Sequence, residues 1–147
     1  IINKAGEERE WTGAPNEVWS VGEEVYPILV KFIGIREKMR DYTRRLMKEA
    51  HEKGTPVIRP MFYEFPQDPE CWDIQDAYMY GPDILVAPVC HEKATKRRVY
   101  LPAGASWIHG GTGKEYEGGC WIEAEAPLET LPVFLRNGRQ AYLIGAV

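Results

Sequence analysis

No stretch of the 147 residues approaches the ~18 consecutive apolar positions that a membrane-spanning helix needs. The amino terminus also lacks the basic-then-apolar pattern of a secretion signal. Cysteine is scarce: Cys71, Cys90 and Cys120 form an odd set at wide spacing, with no C-x-x-C and no His-x-His grouping nearby. A disulfide framework and a zinc centre are both disfavoured, and free thiols fit a reducing, cytoplasmic compartment. Excess positive charge is missing as well. With 18 Lys and Arg against 22 Asp and Glu, the net charge of −4 gives no electrostatic case for nucleic acid or an anionic membrane as partner. An initiator Met is absent, and a start at Ile1-Ile2-Asn3-Lys4 is compatible with a fragment or a trimmed chain.

What is present is enough apolar residue, 44%, to bury one core or two small ones, which argues against a disordered chain. Residues 1 to 19 are acidic, contain Gly and Pro and show no periodicity; an irregular arm pinned by Trp11 and Trp19 is expected there. Ser20-Val21-Gly22-Glu23 has capping-box form and Pro27 suits only a helix start, so a helix should begin between them and run to about Lys53. Its apolar positions Ile28, Phe32, Ile35, Met39, Tyr42 and Leu46 fall on one stripe. Asp41 with Arg45, and Glu49 with Lys53, are spaced i,i+4 with the acid first, as on an exposed face. The arginines Arg36, Arg40, Arg44 and Arg45 alternate with acids, which makes a solvated face of them rather than a nucleic-acid site. His51 sits in the last turn, where a cation suits the dipole, whereas His91 and His109 read as loop or strand-edge residues.

Gly54 stops the helix, and Val57 to Phe65 reads as a short, largely apolar buried strand that completes an αβ unit. Arg59 and Glu64 are the charges within it. Buried charges need partners, so these two point to a structural junction, with Asp68 close behind. On a regular strand they would face opposite sides and find separate partners: Asp68, Asp76 or Asp83 for Arg59, and Arg36, Arg40 or turn amides for Glu64. Gln67 to Asp76 is turn-rich with Trp72 as a plug, and its aspartates Asp68, Asp73 and Asp76 are turn and helix caps rather than catalytic carboxylates.

From Ala77 onward, strand signals recur at Ala77–Tyr80, Ile84–Val89, Arg97–Leu101, Ser106–His109, Trp121–Ala124, Val133–Arg136 and Gln140–Val147. Turn signals separate them, Asn137-Gly138 being a strong hairpin cue, and the pattern is that of an antiparallel β-sandwich. Ile84 to Val89 is apolar throughout and should be a central strand ending at Pro88. Thr112-Gly113-Lys114-Glu115-Tyr116 is a Gly-rich loop without the order of a phosphate cradle. Aromatic residues here suit a core more than a sugar platform; Trp107 and Trp121 are the candidates for sugar contact.

Arg59-Pro60, Glu64-Phe65-Pro66, Asp68-Pro69, Tyr78-Met79-Tyr80-Gly81, Leu85-Val86-Ala87-Pro88-Val89, Val99-Tyr100-Leu101-Pro102-Ala103-Gly104 and Leu131-Pro132-Val133-Phe134-Leu135-Arg136, in that order, resemble glycoside hydrolase family 31, the α-glucosidase and α-xylosidase family. The resemblance covers about Val18 to Gly138 and is to the tail of such an enzyme. It implies an α+β chain: residues 1–66 as irregular arm, long amphipathic helix and last strand of a (β/α)8 barrel, then residues 67–147 as the proximal antiparallel β-sandwich. It further implies a retaining enzyme without metal or organic cofactor, whose nucleophile and acid/base aspartates lie on earlier barrel strands, so no residue of this chain is assigned a catalytic role. The remainder of the barrel would be the partner, and oligosaccharide would be bound only by the complete enzyme. A lone barrel strand leaves unpaired backbone groups, so the chain should either self-associate through it or turn it against its own sandwich. A standalone sugar-binding sandwich and an interaction domain recruiting a partner strand are the other readings of the same residues.

Overall fold

The computed structural model describes residues 17–147; Trp11 and most of the expected arm lie outside the described residues. The chain divides into two compact units, Ile1–Glu37 and Lys38–Val147. In the first, Val18–Val21 make a 3-10 turn and Gly22, at φ 91°, redirects the chain. The Ser20 hydroxyl donates to the Glu17 carbonyl at 2.7 Å instead of capping a helix. Helix α1 (Tyr26–Lys38) therefore starts late, with Pro27 in its first turn, where a missing N–H costs nothing.

The one long helix expected from the apolar stripe is two. Met39, at φ −83° and ψ 0°, separates α1 from α2 (Arg40–Lys53), a local departure from helical ψ that side-chain periodicity does not register. Tyr42 and Leu46 bury the stripe of α2. Asp41 meets Arg44 at 3.9 Å rather than Arg45, while Glu49 reaches Lys53 at 3.9 Å as expected. Gly54 ends α2 in the left-handed conformation, φ 71°, its N–H bonded to the Ala50 carbonyl.

The largest correction concerns the segment after Gly54. Only Ile58–Pro60 is extended (β1), with Ile58 60% exposed, and Met61–Glu64 at once forms a helical turn, α3. Pro60 precedes this turn with φ −63°, ready for a helix start, and contributes no N–H that a longer strand would need. Strand β1 is not a lone parallel strand. It pairs antiparallel with β2 (Tyr78–Tyr80), Arg59 opposite Met79, at one edge of a six-stranded sheet. Strand β1 thus joins the first sheet through β2.

That sheet runs in the order β1, β2, β3 (Ile84–Val86), β8 (Val133–Arg136), β5 (Ser106–His109), β6 (Glu115–Glu117). A second sheet pairs β4 (Lys96–Leu101) with β7 (Cys120–Glu125). Between them lies the core, in which Met79, Leu85, Trp107 and Phe134 of the first sheet meet Val99, Leu101 and Ala124 of the second. Strand β3 is central and buried at all three residues, as its unbroken apolar run requires. Two strand expectations fail. Gln140–Val147 contains a 3-10 turn, Ala141–Leu143, because Asn137, Gly138 and Gln140 all take positive φ and curl the chain instead of returning it. Conversely β6 lies inside the Gly-rich loop, where Tyr116 pairs with Trp107.

Helix α2 is tied to the end of β2 and the turn that follows it. The Tyr42 hydroxyl donates to the Tyr80 carbonyl at 2.9 Å and accepts the Asp83 N–H at 3.3 Å. Burial, above all, then the Asp83 carboxylate push the Tyr42 phenol well above its ordinary range. Gly81 makes the approach workable: at φ 62°, a Cβ there would sit 2.4 Å from that hydroxyl.

Candidate functional site

Arg59 and Glu64 do not find separate partners; they find each other. The helical turn of α3 swings Glu64 back over the end of β1, so that Arg59 Nη1 donates to Glu64 Oε1. Spacing by an odd number places residues on opposite faces only while the strand stays regular, and it ends at Pro60. Arg136 of β8 donates to the other oxygen, Oε2, at 3.3 Å. The Arg59 Nε donates to the Pro56 carbonyl at 2.6 Å, and its Nη2 lies 3.8 Å from Glu49 of α2. Both guanidinium planes rest on aromatic rings, Arg59 on Tyr63 at 5.6 Å and Arg136 on Phe65 at 4.6 Å. With Arg59 only 4% exposed, the Glu49–Arg59–Glu64–Arg136 network has a buried centre and half-buried ends, and it ties α2, β1, α3 and β8 together.

Asp68 is buried beside it and has its own partners: the Tyr100 hydroxyl at 2.9 Å, the Ala103 N–H at 2.8 Å and the Glu70 N–H at 3.3 Å. It caps the 3-10 turn Pro69–Trp72 and fastens that turn onto β4. Burial, with the Asp68 hydrogen bond and charge adding to it, raises the Tyr100 phenol above its usual range. Asp73 closes the same turn, and Asp76 pairs with Arg97 at 2.9 Å. Glu64 and Asp68 both line one open hollow of about 420 Å³, but each of Glu64, Asp68 and Asp76 is engaged by cationic groups or donors. Among the described residues no cluster of His, Cys, Asp and Glu is placed to hold a metal ion.

The aromatic candidates part company. Trp107 is wholly buried, its indole N–H donating to the Pro102 carbonyl at 3.0 Å, so it is a core residue and cannot meet a sugar. Trp121 stays 42% exposed, with the Arg98 guanidinium 4.9 Å from its ring centroid, Tyr100 beside it at 5.3 Å, and its N–H on Glu70 at 3.2 Å. Trp72, expected as a plug, is 58% exposed and stacks on Phe62 at 4.9 Å. Cys71 is buried and Cys90 and Cys120 exposed, all as free thiols; burial and neighbouring Asp68 push the Cys71 thiol up to about 12, where it is inert. Arg136, Glu49 and Tyr42 stand in the sequence as a motif residue, an exposed acid and a stripe residue, and their part in these contacts was missed. Only the strict run Leu131 to Arg136, ending an apolar strand on a cation, hinted that Arg136 needs a buried acid.

Comparison with known proteins agrees with this geometry. The chain is 38% identical to alpha-glucosidase 2 of Bacillus thermoamyloliquefaciens over 83% of its own length and 15% of that protein. It is 32% identical to an alpha-xylosidase of Saccharolobus solfataricus over 89% of its length and 18% of that protein. In structure it resembles a GH31 alpha-xylosidase from a soil metagenome complexed with xylose, with TM-score 0.85 and 47% identity, over 90% of this chain and 20% of that one. The chain therefore spans a fifth or less of the length of each of these. The Glycosyl hydrolase family 31 C-terminal domain matches residues 54–139, more than half of the chain, so the chain belongs to glycosyl hydrolase family 31.

Proposed function

We propose that this chain is the non-catalytic, carboxy-terminal part of a retaining α-glycosidase that removes terminal α-linked glucose or xylose. The observation that carries this reading is the match of residues 54–139 to the family's C-terminal domain, in a chain whose buried carboxylates are engaged in structural pairs. In the complete enzyme, two carboxylates of the preceding barrel would act as nucleophile and acid/base. The chain's part is to bury the end of that barrel: α1 and α2 supply its last helical element, and the network on Arg59 fixes α2 to the sandwich. Ile58, Phe62, Tyr63 and Trp72, all exposed, offer apolar surface for the remainder of the barrel. Three free thiols favour a reducing, cytoplasmic setting, and no described helix is long and apolar enough to cross a membrane.

Aryl α-glucoside and α-xyloside hydrolysis tests the reading on two samples, the 147-residue chain and the polypeptide that carries it behind a barrel. Turnover is expected from the longer polypeptide alone. Turnover by the 147-residue chain that vanished on replacing one of its carboxylates would overturn the assignment, a mock purification excluding host enzyme.

A further inference from the structure

The second sheet turns one face away from the core. Alternation along β7 sends Ala124, 3% exposed, to the core, and so sends Trp121, Glu123 and Glu125 to the outer side. On β4, Val99 and Leu101 take the core side, and Lys96, Arg98 and Tyr100 the outer one. Lys96 engages both outer acids, Glu123 at 3.4 Å and Glu125 at 2.8 Å. Tyr100 stands opposite Trp121 in the ladder, and it is only 6% exposed although alternation sends it outward. Part of its cover is the Trp121 indole, whose centroid lies 5.3 Å from the Tyr100 ring and whose N–H donates to Glu70 Oε2 at 3.2 Å. Glu70 belongs to the 3-10 turn that Asp68 fastens to the Tyr100 hydroxyl. Held at its Cβ by β7 and at its N–H by that turn, the indole lies across the sheet with one side toward Tyr100, and 42% of the residue stays open.

Two polar groups beside the ring have bonding capacity left. The Arg98 guanidinium is 4.9 Å from the ring centroid, and among the described residues no acceptor engages its nitrogens. Glu70 Oε2 takes the indole N–H, while Oε1 accepts nothing among the described residues. Stacking of an exposed guanidinium on an indole is a weak tie, readily exchanged for hydrogen bonds to an arriving ligand. The indole calls for a flat apolar surface, but a wholly apolar partner would strip water from Arg98 and Glu70 and return nothing. A small anion would meet the Glu70 carboxylate, and a small cation the Arg98 guanidinium. A pyranose satisfies all three groups: its C–H face packs on the indole, neighbouring hydroxyls accept from the guanidinium fork, and another donates to Glu70.

We propose that the open side of Trp121, flanked by Arg98 and Glu70, is a binding site for a pyranose ring of a neutral oligosaccharide. Indole and amide NMR of the 15N-labelled 147-residue chain tests it, by titration with maltotriose, isomaltotriose and methyl α-xyloside. These probes are chosen on the glycosidase reading, whereas binding is read without hydrolysis, so the two can fail separately. A saturable shift is expected at the Trp121 indole N–H and the Glu70 amide, with affinity at the weak, roughly millimolar end of the scale. Sorbitol, which has the hydroxyls and no ring, should produce none. Arg98→Gln and Glu70→Gln, both at exposed positions, should weaken binding roughly threefold to tenfold at an unchanged melting temperature. Trp121→Ala should abolish it, and Trp72→Ala should leave it unchanged. The proposal fails if no saturable shift appears, if the shifts gather at Trp72 instead, if sorbitol or glucuronate binds as tightly, or if neither Arg98→Gln nor Glu70→Gln alters the affinity.

Discussion

Glu64 has no oxygen to spare: Oε1 is taken by Arg59 and Oε2 by Arg136. Its side chain is 12% exposed and that of Arg59 5%, so the pair is largely withdrawn from water. Truncating one member of a buried pair costs about 3–5 kcal/mol, against under ~1 for an exposed pair. Arg59→Met and Glu64→Gln should therefore each lower stability by about that larger amount in urea unfolding, and the double variant by clearly less than their sum. Additive losses of a few tenths would mean that the contact is no more than a surface pair. Trp107 gives the opposite lesson at the same scale: its complete burial makes it a structural residue whatever its affinity for sugar rings would be in the open.

At the scale of elements, the turn between β5 and β6 depends on an unprotonated imidazole. Gly111 and Thr112 N–H groups both point at His109 Nδ1, and protonation there would set a donor against two donors. Burial lowers the His109 pKa below its ordinary value of 6.5. In the folded chain the proton is therefore harder to bind than in the unfolded one, so the unfolded state gains protons first as pH falls. Stability should drop once pH falls below about 6.5 and level off below the folded-state pKa. His109→Asn retains an acceptor oxygen without titrating, and its melting temperature should change less than the parent's between pH 7.5 and 5.5. Equal slopes would show that other groups set the acid sensitivity. Elements of strong, unbroken pattern were legible in the sequence: β3 with its apolar run, the Gly54 stop, and the antiparallel strands between turn signals. What escaped was decided by backbone dihedrals that side-chain patterns do not encode. Met39 splits a periodic helix, Pro60 turns a strand into α3, and the positive φ of Asn137 and Gln140 converts a hairpin signal into a curl. The Arg59–Glu64 contact was hidden for the same reason, since a strand read as regular sends i and i+5 apart. Asp68 as a turn cap was legible because its chemistry is local.

For the sandwich as a whole, burial concentrates on β8. It pairs with β3 on one side and β5 on the other, and Phe134 and Leu135 are fully buried. Phe134→Ala should cost about 3–5 kcal/mol, as large aromatic truncations in closed cores do, whereas Ile58→Ala on the exposed edge strand should stay within about 0.5. Comparable losses would mean that stability is spread evenly over the sheet. The same strand has a consequence in time. The sheet order β1, β2, β3, β8, β5, β6 puts the penultimate stretch of the chain between two groups of strands that precede it in sequence. Until Val133–Arg136 has emerged from a ribosome, one half-sheet holds β1 to β3, the other β5 and β6, and no backbone ladder joins them. A nascent chain must therefore wait with two open edges flanking one vacant slot, exposed to neighbouring polysomes until β8 arrives to fill it.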